Sequence, residues 1–228
     1  MEKPRTNINE KRIHVYIFEN YREDEKELRE GIMFNKLFNA LAVPNTLFVI
    51  RDKKDLASKW NQASKNFSNA DINFIHWSGH GDSEGVLLSS GEKVSWNVLS
   101  LFLLSTEDRE KLILCLSSCE GAGASSIGDK WPIKMYRHLI APIRDIFWYE
   151  AAVAYTNFYY AIRIPKLSIG DAVQWMNQSL FDFTGNPTFI HYDGQLQNLI
   201  KHAPNPLIKA MHIAHKDELS KFTSIYNN

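Results

Sequence analysis

Only two cysteines, Cys115 and Cys119, occur in the 228 residues. So sparse a complement excludes a disulfide-stapled secreted scaffold and suits a reducing, cytoplasmic compartment. Any run of about 18 apolar residues is also missing, so no transmembrane helix is expected. Net charge is lacking too: 26 Lys and Arg balance 26 Asp and Glu. Without a basic surplus, neither a nucleic acid nor a membrane is an expected partner. The polar stretch 1–10, with both charge signs, has no apolar core of a signal peptide. No fixed-period repeat is visible. No glycine-rich phosphate loop of Walker or Rossmann spacing follows the first strand, and Gly121-Ala-Gly123 is too short and too late to be one. No cofactor is expected.

What is present is enough apolar sequence, 44% of the chain, to bury a sizeable core. Apolar runs at Ile13–Phe18 and Thr46–Ile50, and in the stretches 71–81 and 111–121, predict buried strands. Helical spacing predicts helices over 23–43, 55–65, 96–104, 151–162 and 168–180, with Ser168 as a cap and Asp171 its carboxylate three residues on. A β-hairpin is expected over 85–96 and a fifth strand over Arg144–Tyr149. Signals are weak over 129–140, which is expected to be mobile. Thr188–Tyr192 reads as a last strand before an Asp193-Gly194 turn. Alternation of strands and helices gives an α/β fold with a mostly parallel sheet and right-handed crossovers.

Two of the strands end in residues that carry chemistry. His80-Gly81 closes the stretch that begins at Asp71, and Cys119-Glu-Gly121 closes the one that begins at Lys111. In a parallel sheet, neighbouring strands end on one side, and ligands bind at those carboxyl ends. A histidine and a cysteine there can act as base and nucleophile. Backbone amides of Gly81 and Cys119 are the candidate oxyanion donors. A glycine after the histidine leaves no Cβ in the way of a substrate carbonyl, and Gly81 and Gly121 allow sharp turns. The histidine precedes the cysteine, as in caspases and opposite to papain-like enzymes.

Cys115 and His76 share four-residue spacings with Cys119 and His80. On a strand such a spacing separates Cα atoms by roughly 13 Å, whereas a disulfide needs them within about 7 Å. A zinc site is therefore disfavoured. Cys115 reads as a small buried residue and His76 as a satisfied strand histidine. The competing reading for the remaining pair is a loop-capping histidine and a cysteine used as a small hydrophobe.

Three segments then carry a resemblance. Phe74-Ile-His-Trp-Ser-Gly-His80-Gly81 resembles the F-H-x-x-G-H-G segment of the CHAT family, caspase-like cysteine peptidases related to separase. Leu112–Gly121 is similar to that family's L-V-V-L-S-A-C-E-S-G. Trp148, Phe158-Tyr159 and Ser168–Ala172 follow in family order. The resemblance covers roughly residues 70–180. It implies a caspase-like three-layer sandwich, a mostly parallel central sheet with helices on both faces. It also implies a cysteine endopeptidase with His80 as the catalytic histidine, Cys119 as the nucleophile and no third catalytic residue. A protein substrate, a regulatory protein partner and a place in bacterial defence or regulated death belong to the same expectation. The family's pocket aspartate after the tryptophan is missing. Glu150 and Ser117 are the candidate pocket residues, with a leaning to Arg or Lys before the cut. For Glu150 a helix N-terminal carboxylate is the bland alternative. The expected organisation is a polar extension over 1–10, the peptidase domain over 11–185 and a C-terminal extension over 186–228. The alternative function is a catalytically silent interaction module on the same fold.

Overall fold

The computed structural model describes residues 11–25, 29–130, 135–180 and 187–193. The extension 1–10, the start of the helix expected from residue 23 at positions 26–28, and most of the C-terminal extension (194–228, with its histidines and the Asp193-Gly194 turn) lie outside the described residues.

Strands β1 (Ile13–Glu19), β2 (Asn45–Val49), β3 (Ile72–Ser78), β7 (Leu112–Ser117), β8 (His138–Pro142) and β9 (Phe189–Asp193) form one six-stranded sheet in the order β2-β1-β3-β7-β8-β9. All pairs are parallel except β8 with β9. Helices α1 (Glu30–Ala40), α5 (Trp148–Arg163) and α6 (Ile169–Gln178) contribute the core of one face. Helices α2 (Lys53–Ser64), α3 (Trp96–Leu104) and α4 (Ser125–Lys130) contribute that of the other. The expected three-layer α/β sandwich is thus present.

Strand alternation explains the layering, since successive side chains point to opposite faces. On β1, Val15 and Ile17 join Phe34, Phe38, Tyr155 and Phe158, whereas Tyr16 and Phe18 join Trp60, Trp77 and Leu103. The central strands β3 and β7 are buried along their whole length, as near-continuous apolar runs in a doubly covered sheet should be. Helix α2 starts where the Asp52 side chain accepts the Asp55 N–H at 2.7 Å, and α3 where Ser95 accepts from Val98 N.

Three elements differ from the sequence reading. The fifth parallel strand is β8, which starts six residues before the expected Arg144–Tyr149 strand starts and ends seven before it ends. Its Leu139 and Ile140 are fully buried, so the end of the 129–140 stretch is core rather than mobile. Helix α5 starts at Trp148 because Glu150 Oε2 accepts the Phe147 N–H at 3.0 Å, which turns an aromatic run of high β-propensity into a first helical turn. Upstream of α1, Glu23–Glu25 is a separate 3-10 turn. Strand β9 completes the sheet at β8, so the domain extends to at least Asp193, past the boundary at 185.

The expected hairpin is part of a small antiparallel sheet, β4 (Gly81–Asp82), β5 (Gly85–Leu87) and β6 (Lys93–Ser95), that leaves directly from the end of β3. It anchors the chain just after His80.

Candidate active site

The parallel register of β3 and β7 brings the two candidate residues together. His76 pairs with Cys115 and Ser78 with Ser117. His80 and Cys119 each stand two residues beyond the last paired rung, past the ends of their strands. Both line one cleft of about 510 Å³ at the carboxyl end of the sheet. Its other walls come from Glu19 and Asn20 at the end of β1, Glu25, Glu30 of α1, and Asp145 to Trp148 at the start of α5.

His80 is half-exposed and its Nε2 lies 2.7 and 2.8 Å from the two carboxylate oxygens of Glu25. Glu25 is held in turn by the Arg22 N–H at 3.1 Å. Nothing local in the sequence marks Glu25, which is 55 residues from His80. Cys119 Sγ faces Ile146 O at 3.6 Å. Burial pushes the Cys119 thiol pKa up, and the Asp145 carboxylate adds to the effect, while the backbone of Ile146 opposes it. This environment favours the protonated thiol of Cys119 over its thiolate.

Of the two expected oxyanion donors, Gly81 packs against Ser118, the residue before Cys119. A Cβ on Gly81 would lie 3.0 Å from Ser118 Cβ and 2.8 Å from Gly85 O. This close packing by itself requires glycine there. Leu87 N donates to His80 O at 3.0 Å and Gly81 pairs with Val86 on the next rung. Antiparallel alternation then directs the Gly81 N–H away from β5. In the turn after Cys119 the left-handed residue is Glu120 (φ 48), not Gly121. Glu120 N donates to Arg144 O at 3.1 Å, and its carboxylate accepts from Ser83 N at 3.2 Å. These bonds tie the Cys119 turn both to the segment before α5 and to the small sheet after His80.

The two pocket candidates have different fates. Ser117 lines the cleft, but its hydroxyl donates to buried Glu30 Oε1 at 2.9 Å and so forms part of the floor. Glu150 is not among the lining residues: it caps α5 and meets Arg144 Nη2 at 3.4 Å. That is the bland role weighed from the sequence. The acids that do line the cleft are Glu19, Glu25, Glu30 and Asp145, and no Lys or Arg accompanies them among the described residues.

His76 and Cys115 are neighbours in the core. His76 Nδ1 is 3.0 Å from Tyr159 Oη, and burial pushes the Cys115 pKa up to about 12. Among the described residues no group of three or more potential ligands can hold a metal ion. Nor is any helix of the described residues long and apolar enough to cross a membrane.

No family model matches this chain, and no curated protein matches it.

At the mouth of the cleft Phe147 is 65% and Tyr149 52% exposed, with rings stacked at 5.4 Å. Trp148, 44% exposed, lines the cleft beside them. Large apolar rings left in water at the rim of a polar cleft are suited to side chains of a bound polypeptide.

Proposed function

We propose that the chain is a cysteine endopeptidase of the caspase-like type, with Cys119 as nucleophile and His80 as base. The supporting observation is the shared offset of His80 and Cys119 from the Ser78–Ser117 rung, which puts both into one cleft at the carboxyl end of a parallel sheet. The resemblance of the His80 and Cys119 segments to the CHAT family supports the same reading.

Burial and the Asp145 carboxylate favour the protonated thiol, so in this reading the reaction starts by general-base catalysis. As the substrate carbonyl settles, Cys119 Sγ attacks it and the thiol proton passes to His80. The oxyanion accepts hydrogen bonds from the Gly81 and Cys119 amides. His80 returns the proton to the departing amine as the C–N bond breaks. Water then attacks the thioester, again with His80 as base. The carboxylic acid leaves and the thiol is restored.

The acidic lining favours a basic side chain before the cut. Asp145 is its least committed member: Glu19 is paired with Arg29, Glu25 with His80, and Glu30 accepts from Ser117. Asp145 thus takes the place in this reading that Glu150 held in the sequence. A cytoplasmic setting remains part of the proposal through the sparse cysteines, and a regulatory protein partner and a defence or regulated-death role through the resemblance alone.

The test is labelling by peptide acyloxymethyl ketones ending in Lys, Arg or Asp. The expected result is covalent labelling at Cys119, faster for the basic probes and abolished in Cys119→Ala and strongly slowed in His80→Ala. The exposed Phe147, Trp148 and Tyr149 favour a second reading, a silent interaction module. A Cys119 that ignores all three probes, alone and with its binding partner, would support that reading against catalysis.

A further inference from the structure

A dyad of cysteine and histidine needs nothing on the far side of the imidazole. Here one ring nitrogen is already engaged: both oxygens of Glu25 lie within 2.8 Å of His80 Nε2. We propose that Glu25 is a positioning residue for His80, so that the site works as a Cys119–His80–Glu25 triad. The inference rests on the cysteine-peptidase reading above and adds a third residue to it.

A carboxylate is an acceptor only, so the nitrogen facing it carries the proton. In neutral His80 that assigns the hydrogen to Nε2 and the lone pair to Nδ1. The proton from Cys119 Sγ therefore goes to Nδ1, and the Nε2 proton stays on the hydrogen bond to Glu25 throughout. When the ring becomes cationic, the carboxylate faces the new charge. As substrate leaves, Nδ1 hands its proton to the amine and the resting tautomer returns. The ring is also fixed in rotation, which a half-exposed imidazole on a short link between β3 and β4 needs most.

Glu25 is well placed for this job and has little else to do. It is not part of either hydrophobic cluster. Its own carboxylate is oriented by the Arg22 N–H. The other charged groups around the cleft have separate partners or face Cys119: Glu19 binds Arg29 and Gly31, Glu30 takes the Ser117 hydroxyl, and Asp145 lies beside the thiol.

The test is the alkylation of Cys119 by iodoacetamide, a probe small enough to need no recognition. Rates are measured from pH 5 to 9 for the full chain and for Glu25→Gln, Glu25→Asp, His80→Ala and the double variant Glu25→Gln/His80→Ala. The expected result is a loss of about tenfold or more in His80→Ala near neutral pH, the scale of a lost general base. Glu25→Gln should reproduce most of that loss and change the shape of the pH profile. Glu25→Asp should restore most of the rate, and the double variant should be no slower than His80→Ala. A wild-type rate and profile in Glu25→Gln, beside a slow His80→Ala, would overturn the triad while leaving the dyad intact. So would a faster Glu25→Gln, which would make Glu25 a restraint. An equal loss from Glu25→Gln in the presence and absence of His80 would also overturn it, because the effect would not run through the imidazole. If His80→Ala itself alkylates at the wild-type rate, the His80–Cys119 pair falls, and the peptidase reading with it.

Discussion

Replacing Arg29 with leucine removes the cation that holds the acidic floor of the cleft. Glu19 ends β1, and its side chain is only 2% exposed. It accepts Arg29 Nε at 2.9 Å, a second bond from Arg29 Nη2, and the Gly31 N–H at 2.7 Å. Arg29 is itself mostly covered and lies 4.1 Å over the Tyr21 ring. Losing the guanidinium leaves a buried carboxylate with one amide donor. Removing one partner of a buried pair costs about 3–5 kcal/mol, because an uncompensated charge stays behind. For a domain of this size that corresponds to a fall in melting temperature of roughly 6–20 °C. Urea and thermal unfolding at pH 7 measure it, with Arg51→Leu as the control. The Arg51–Asp55 pair has similar chemistry, but its arginine is 78% exposed, so its loss should cost no more than about 0.5 kcal/mol. Combining Arg29→Leu with Glu19→Gln should recover part of the loss, since the stranded charge goes too. A cost below about 1 kcal/mol for Arg29→Leu would refute the reasoning, because Glu19 would then be behaving as a surface carboxylate.

Other outcomes follow from the same geometry. Asp145→Asn should raise the rate of Cys119 alkylation near neutral pH. Its negative charge disfavours the thiolate, so neutralising it lowers the thiol pKa and shifts the alkylation profile to lower pH. Cys115, fully buried with a pKa pushed to about 12, should stay unlabelled in the native protein and react only after unfolding, as peptide mass spectrometry would show. Tyr155→Phe should cost about 1–3 kcal/mol in urea unfolding, because Tyr155 Oη reaches both Leu116 O and Ile140 O at 2.9 Å and links β7 to β8. Gly81→Ala should slow Cys119 labelling without abolishing folding, because the new Cβ presses on Ser118 next to Cys119.

Much of the fold was legible because local rules and burial agreed. The apolar runs of β1, β3 and β7 need cover on both faces, and that cover is what the sandwich supplies. Helix α3 occupies the expected residues 96–104, because Ser95 caps an apolar run too long for a strand at that position. Strand β8 was not legible: a short Leu139-Ile-Ala core lies between His138 and Pro142, and it is strand only because β7 and β9 pair with it. The aromatic run at Phe147–Tyr149 misled for the opposite reason. Its strand propensity is real, but one carboxylate three residues past Phe147 bonds back to the N–H and starts a helix.

The sequence by itself determined the layered α/β class and the two strand ends that carry His80 and Cys119. Alternating and continuous apolar runs are local signals, and they state which segments must be buried. Only the tertiary structure decided which acids join those residues. Glu25 reaches His80 across 55 residues, Asp145 faces the thiol from the segment after β8, and Glu150, nearer the expected place, turns back onto its own helix. Such choices depend on strand order, register and the direction in which each loop leaves the sheet. Those are properties of long-range pairing, which no spacing along the chain records.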